Sequence, residues 1–568
     1  MRDDLRKIDF SGRLEALIDF VTVSHRRAAL ALIAFSLICF LPGINSLSPT
    51  NRDESRYAQA TKQMFESGDF IDIRYQDVAR YRKPIGIYWL QAASVAAAEK
   101  LGFQNARTRI IFYRIPSLIA AVSSVLLTYW AALVFVRRRY ALLAALAMAG
   151  SLILGVEARI ATIDASLLLA ALAAEGALAR FYLLRDQIPP QRQWRLAAIF
   201  WTAIGASILL KGPIIPGVVA LTALTLVITD RSAAWLRQLK FLPGVIWMLV
   251  LTLPWFIAIL FKTEGSFYGA SVGGDFFGKF AHGAEGHGAP PGYYFLLFWF
   301  AFFPAAQLSW LAAPYAWKNR ADPAIRFLLA WFVPAWIVFE LVITKLPHYV
   351  LPLYPAAAIL IALALDRGVE ADRHVLRGGW FWPIVTTVTV VAVVIIAYQF
   401  DGKFGRTFIF FAILSILLSF AAWRWLVGKS AERALAIAVL ASAALEWATY
   451  STLPRARTLF ITPLLVDAIK LSPCPNPLLA STFHEASMVF LAGTDTKLVY
   501  GPGAADFLGL GGCRLAFVER REERAFANRA AEIGLSYARV GEVSGFNYPD
   551  GKYVSYLLLV PKDFQQPQ

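Results

Sequence analysis

Several short segments of this chain carry residues whose types suit chemistry on a phosphate. The densest is Arg52-Asp53-Glu54-Ser55-Arg56-Tyr57-Ala58, followed in the same loop by Tyr81-Arg82-Lys83-Pro84. Others are Glu157-Ala-Arg159-Ile-Ala-Thr-Ile-Asp164, Leu210-Lys211-Gly212-Pro213 and Thr344-Lys345-Leu-Pro-His348-Tyr349. Lys83, Lys211 and Lys345, with the Tyr349 hydroxyl, could stabilise a phosphate leaving group whose charge grows in the transition state. Arg56 and Arg82 could add bidentate contacts to the same phosphate. Asp53, with Glu54 beside it, could deprotonate or orient an acceptor or bind the transferred group, and Asp164 is the second acid. Tyr57 and Tyr81 are candidate substrate contacts.

Each of these residues also has a plainer explanation. Asp53 and Glu54 could cap the helix that follows them, because acids are stabilising at a helix N-terminus. Lys211 and Lys345 could be snorkelling residues, although a nearby proline frees backbone carbonyls and bends the chain at each. Glu175, Glu340 and Glu446 are expected in helix packing or at the interface. Asp275, His282, Glu285 and His287 offer oxygen and nitrogen ligands, but their spacing in a Gly-rich loop matches no compact metal signature. No cofactor is expected to be required, and a divalent metal remains open.

The elements that must hold these residues are membrane spans. The chain has 568 residues, 58% hydrophobic and 17% charged, where a soluble domain carries roughly 25% charged residues. Its apolar residues collect in about thirteen runs between residues 27 and 452, of roughly the length that crosses a bilayer as a helix. Net charge is +16, but the cations lie in pairs and triplets between apolar runs. That is the pattern of positive-inside loops, not of a nucleic-acid surface. With the N-terminus cytoplasmic, Lys and Arg favour the inner short loops by about three to one. The chemistry-bearing segments then all fall on the outer face.

The apolar stretch 85–98 is short for a span, and letting it cross would invert every later loop. It is expected to lie at the interface, with Pro84 at its first turn. Residues 53–66 read as another surface helix, stopped by Gly68. Both lie in a first outer loop of about 46–112. After residue 452 the composition turns polar, and stretches at 478–481, 497–500, 514–518 and 553–560 read as strands, with helices at 485–491 and 521–533. The expected organisation is a membrane domain, 1–452, and a small α/β domain, 453–568, outside the cytoplasm. There a disulfide between Cys474 and Cys513 is open to form, and Cys39 is a packing residue.

At these residues the sequence resembles the GT-C membrane glycosyltransferases of the aminoarabinose transferase (ArnT) and protein O-mannosyltransferase-like group. The resemblance rests on Asp53-Glu54-Ser-Arg56-Tyr57-Ala58, Ser67-Gly68-Asp69-Phe70, Lys83-Pro84-Ile-Gly-Ile-Tyr-Trp89, Asp164, Leu210-Lys211-Gly212-Pro213 and Lys345-Leu-Pro-His-Tyr349-Val-Leu-Pro352. It implies a polytopic α-helical GT-C fold with juxtamembrane helices and a periplasmic α/β domain. It also implies inverting transfer from undecaprenyl-phosphate sugar to lipid A, or another envelope glycan or protein, at the periplasmic face of a bacterial inner membrane. In that group Asp53 and Asp164 match the important carboxylates and Lys83 the phosphate-binding lysine, with Lys211, Lys345 and Tyr349 lining the cavity. The family's Glu-Lys-Pro-Pro is replaced here by Arg82-Lys83-Pro84-Ile85. Loss of that glutamate weakens the case for an aminosugar and for a metal, and leaves room for galacturonic acid or mannose. A mannosyl- or hexosyltransferase acting on protein or polysaccharide is the rival enzyme. A lipid-linked sugar flippase is the rival of another class, and it is expected to carry polar groups through the mid-membrane.

Overall fold

A computed structural model describes residues 10–50, 53–271, 288–371, 373–400 and 403–562. Among the described residues nine helices are long and apolar enough to cross a membrane, from Ile110–Ala132 to Ala431–Arg455. The pair Tyr293–Ala301 and Ala305–Lys318, bent by 114°, has the geometry of a broken span or a re-entrant loop and brings the number to ten if it counts as one span. The remaining expected runs fall on shorter helices: His25–Phe40, Ile214–Asp230, and the broken pair Arg138–Ala149 and Leu152–Glu157. The protein is a multi-span membrane protein. Enclosure varies: Asp164–Leu183 and Pro347–Asp366 are each 83% buried, against 22% for Phe241–Lys262. The two central spans are therefore those that begin at Asp164 and beside His348.

Two helices lie beside the spans without crossing. Asp53–Ser67 starts with two acids in its first turn, where the helix dipole favours them. Gly86–Lys100 follows Pro84 and crosses the end of the span Pro190–Lys211. Glycine is required at that crossing, because a Cβ on Gly86 would stand 2.7 Å from the Leu209 carbonyl. The span itself ends when Gly212 takes a left-handed φ of +69°, which leaves Lys211 as its last residue.

Strands β1 (Arg74–Tyr75) and β2 (Val78–Ala79) form a small hairpin between these two helices. The C-terminal sheet contains β3 (Leu478–Ser481), β4 (Lys497–Leu498), β5 (Arg514–Glu519), β6 (Tyr537–Asn547) and β7 (Lys552–Pro561). Their order is β4-β3-β5-β7-β6, parallel from β4 to β5 and antiparallel from β5 to β6. Alternation along β5 builds both faces: Leu515 and Phe517 pack on Ile461 and Leu465, while Ala516 and Val518 pack on Leu508 and Phe526. Strand β6 and the helices Ile461–Ala468 and Gly501–Gly509 were not expected from the sequence. Cys474 and Cys513 form a disulfide.

This sheet unit is fastened to the first juxtamembrane helix. Gln59 donates to the Thr494 hydroxyl at 2.8 Å, and Gln76 donates to the Thr494 and Thr496 carbonyls at 2.9 and 2.7 Å. Phe490 meets Tyr113 edge-to-face, with ring centroids 5.4 Å apart.

Candidate active site

Four side chains from four separate segments converge at the end of the bundle nearest the juxtamembrane helices. Asp164 opens its span, and one of its oxygens accepts from the Lys211 ammonium at 2.5 Å. Its other oxygen lies 3.4 Å from His348 Nε2. The opposite ring nitrogen, Nδ1, lies 3.3 Å from Glu157, which also accepts from the Thr162 hydroxyl at 2.8 Å. Lys211 stands over the Tyr349 ring, 4.7 Å from its centroid, a cation–π contact that helps hold an ammonium in a partly dry site. Lys83 acts electrostatically on the same Asp164 carboxylate. Asp164, Lys211, Tyr349 and Lys83 are thus brought together as the sequence led us to expect.

Asp53 belongs to the adjoining wall. It is exposed at the start of its helix and acts electrostatically on Tyr57, Tyr88 and Arg80. The Tyr57 and Tyr88 rings lie 5.6 Å apart, and the Arg80 guanidinium sits 5.1 Å over Tyr57. Burial pushes the Tyr57 phenol well above its ordinary range, and the charges of Asp53 and Asp164 push the same way. Tyr57 thus stands within the electrostatic reach of both acids as a protonated phenol.

Four expected residues have their partners elsewhere. Glu54 is a correction: it is sealed in the interior, where Arg114 donates to both of its oxygens at 2.7 and 3.0 Å. Thr50 and the Ala161 backbone N–H occupy it further, so it has no face left for a substrate. Burial alone would raise this carboxyl, but the Arg114 charge and these hydrogen bonds outweigh it and hold it below the usual range. Lys345 is the second correction. Its ammonium donates to the Val342 and Ala289 carbonyls at 2.6 and 2.9 Å, holding backbone groups where a span ends. Tyr81 hydrogen-bonds Asp72 and packs on Phe267, with centroids 5.6 Å apart. Arg56 interacts electrostatically with Tyr75 in the hairpin, and Arg82 is exposed.

The packing acids keep to packing. Arg159 donates to Glu446 at 2.9 Å, Thr222 donates to Glu175 at 2.9 Å, and Glu340 accepts from the Gly292 and Phe295 N–H groups. Asp275, His282, Glu285 and His287 lie outside the described residues. Among the described residues, ligand atoms of Glu157, Asp164 and His348 lie within 4.8 Å of one another. One imidazole nitrogen and an oxygen from each carboxylate at that spacing form a donor set that a divalent cation could share.

A family model for dolichyl-phosphate-mannose-protein mannosyltransferases matches residues 27–266. An undecaprenyl phosphate-α-4-amino-4-deoxy-L-arabinose arabinosyl transferase of Yersinia pestis is 28% identical over 349 residues, 60% of this chain and 59% of its own length. The like-named protein of Yersinia enterocolitica is 26% identical over 531 residues, 91% of this chain and 88% of its own. The crystal structure of ArnT from Cupriavidus metallidurans bound to undecaprenyl phosphate superposes with a TM-score of 0.74 at 18% identity, covering 95% of this chain and 99% of that one. The chain has the GT-C fold of that ArnT. The apo structure of the same Cupriavidus metallidurans ArnT gives a TM-score of 0.72, also at 18% identity. At 18% identity these two superpositions establish the fold alone.

His348 and Glu157 are the site residues that the motifs did not single out by role. Their signals were present: Glu157 stands seven residues before Asp164, and His348 sits directly before Tyr349 in a proline-bounded turn.

Proposed function

We propose that this protein transfers a sugar from polyprenyl phosphate to an envelope acceptor, lipid A in the first instance. The observation that carries this reading is the Asp164–Lys211–Tyr349 contact set, with Lys83 acting on it, at the end of the two most enclosed spans. Lys211 and Lys83 supply positive charge where a lipid phosphate at the headgroup plane would lie. As the acceptor oxygen bonds to the anomeric carbon, the bond from that carbon to the phosphate oxygen breaks. Its electron pair leaves on the polyprenyl phosphate, whose added charge the two ammonium groups stabilise. An acceptor proton, where there is one, passes to Asp53, the exposed acid of the adjoining wall. The names of the Yersinia relatives and the undecaprenyl phosphate in the Cupriavidus structure support the donor class.

The same reading puts the site on the periplasmic side of a bacterial inner membrane, with the N-terminus cytoplasmic and residues 453–568 periplasmic. The distribution of loop cations and the Cys474–Cys513 bond support that orientation. No metal enters the reaction as we write it. The relatives' names favour a pentose, while exposed Arg82 favours a neutral or acidic sugar over an aminosugar. The reading is tested by incubating the purified protein in lipid nanodiscs with undecaprenyl-phosphate sugars and lipid A. A sugar-mass increment on lipid A that is lost in Lys211→Ala supports it. No transfer from any polyprenyl-phosphate sugar to lipid A or another envelope glycan overturns it.

A further inference from the structure

His348 is the one ring in the site with a carboxylate at each nitrogen, Glu157 at 3.3 Å and Asp164 at 3.4 Å. A neutral imidazole donates from one nitrogen only, so both contacts are satisfied at once only by the imidazolium. The ring is also fixed from the side: it meets Tyr349 edge-on at 5.2 Å, and it sits in the turn Pro347–Leu353 that leads into a central span. Glu157 in turn is oriented by the Thr162 hydroxyl at 2.8 Å. The charged groups around this ring are Glu157, Asp164 and Lys211, with Lys83 acting on the shared Asp164.

The balance of charge gives the arrangement a purpose. Two carboxylates, the Lys211 and Lys83 ammonium groups and one imidazolium leave one net positive charge, which suits a site for a phosphate. Without the imidazolium the same cluster is neutral, and its two carboxylates hold the ammonium charge away from the place proposed for a lipid phosphate. Among the described residues Lys211 would then be the one direct ion-pair partner of Asp164, with Lys83 acting at longer range. We propose that His348 is a positioning residue: by sharing the charge of Asp164 it lets the Lys211 ammonium move from that carboxylate to the departing phosphate. The bond changes are those already written for the transfer. His348 forms no bond to substrate and gives up no proton, and only the Lys211 contact is exchanged. This inference rests on the polyprenyl-phosphate reading above.

The test uses the full-length protein in nanodiscs and undecaprenyl phosphate itself as the probe, titrated against wild type, His348→Gln, Asp164→Asn and the double variant. His348→Gln keeps a hydrogen-bonding side chain but no charge, and each variant is first checked for a single dispersed species with an unchanged melting temperature. The expected result is a loss of about tenfold in affinity for His348→Gln that shrinks to about threefold or less when Asp164 is already Asn, the signature of one residue acting through the other. If Gln does not give a folded protein, His348→Asn takes its place in the same cycle. Wild-type affinity in the folded His348 variant overturns the proposal, as does an equal loss in both backgrounds. Loss of wild-type binding on adding a chelator also overturns it, because His348 would then be serving a metal. Failure of the wild type to bind undecaprenyl phosphate overturns the donor reading itself, and the proposal with it.

Discussion

Asp53 and Glu54 are adjacent in the chain, yet one lies exposed at the edge of the candidate site and the other is sealed against Arg114 in the interior. The helical turn between them separates two jobs that an acidic pair in a sequence merges. Asp53→Asn is expected to cut transfer by at least about a hundredfold while leaving stability within about 0.5 kcal/mol of wild type. Glu54→Gln leaves a guanidinium unpaired in the interior and is expected to cost about 3–5 kcal/mol of stability. Activity assays paired with melting curves separate the two. Matching losses of stability would contradict the assignment.

The same ion pair gives a pH dependence. Glu54 is held below the usual carboxylate range in the folded protein, so its stabilisation is complete above the unfolded carboxylate's range. It is lost progressively as pH falls through that range toward the lowered folded value. Acid melting curves of wild type should therefore drop more steeply there than those of an Arg114→Met, Glu54→Gln double variant, which has no such pair to protonate.

Lys211 sits between an acid and an aromatic ring, where we propose that it meets the donor phosphate. Lys211→Ala is expected to lower transfer by roughly a hundredfold or more. Lys345→Ala should act on stability instead, because its ammonium serves two backbone carbonyls. Transfer rates normalised to folded protein would show the contrast. Equal catalytic losses would return Lys345 to the site.

Much of this arrangement was legible in the sequence because membrane helices and helix ends announce themselves. Runs of apolar residues fell on helices throughout, and Asp53 and Pro84 marked the starts of the two juxtamembrane helices. What was hidden depends on distant partners. Glu54 reads as half of a catalytic pair until Arg114, sixty residues on, supplies its counter-charge. Lys345 looks like a free cation until Val342 and Ala289 present their carbonyls. Strand β6 is masked by its mixed pattern and its glycines, Tyr-Ala-Arg-Val-Gly-Glu-Val-Ser-Gly-Phe-Asn, and is made a strand by pairing with β7. His348 draws its meaning from acids nearly two hundred residues earlier, which no local spacing could reveal.

The disulfide offers a check on the sheet unit and on its compartment. Cys474 and Cys513 are 39 residues apart, and closing a loop of that size is expected to stabilise the unit by about 4 kcal/mol on the chain-entropy model. Cys474→Ser should lower the first melting transition and raise protease sensitivity after residue 452. Thiol alkylation of protein from growing cells should label Cys39 alone, after denaturation. Labelling of all three cysteines without reductant would contradict a periplasmic location.

Arg82 bears on the choice of sugar. Arg82→Glu reverses charge at an exposed position beside Lys83, and it is expected to shift donor preference toward an aminosugar by roughly tenfold or more. Competition between two undecaprenyl-phosphate sugars, read by mass spectrometry, measures it. An unchanged ratio would remove Arg82 from the specificity argument.

The central claim is polyprenyl-phosphate-dependent sugar transfer at the Asp53–Asp164–Lys211 site. It is tested most directly by mass spectrometry of envelope lipids and glycans from cells that lack the protein and are complemented with wild type or with Asp53→Asn. The account predicts a glycosylated species, lipid A first among them, that is absent without the protein, restored by wild type and absent again with Asp53→Asn present at wild-type levels. Identical lipid and glycan profiles in all three strains would contradict it.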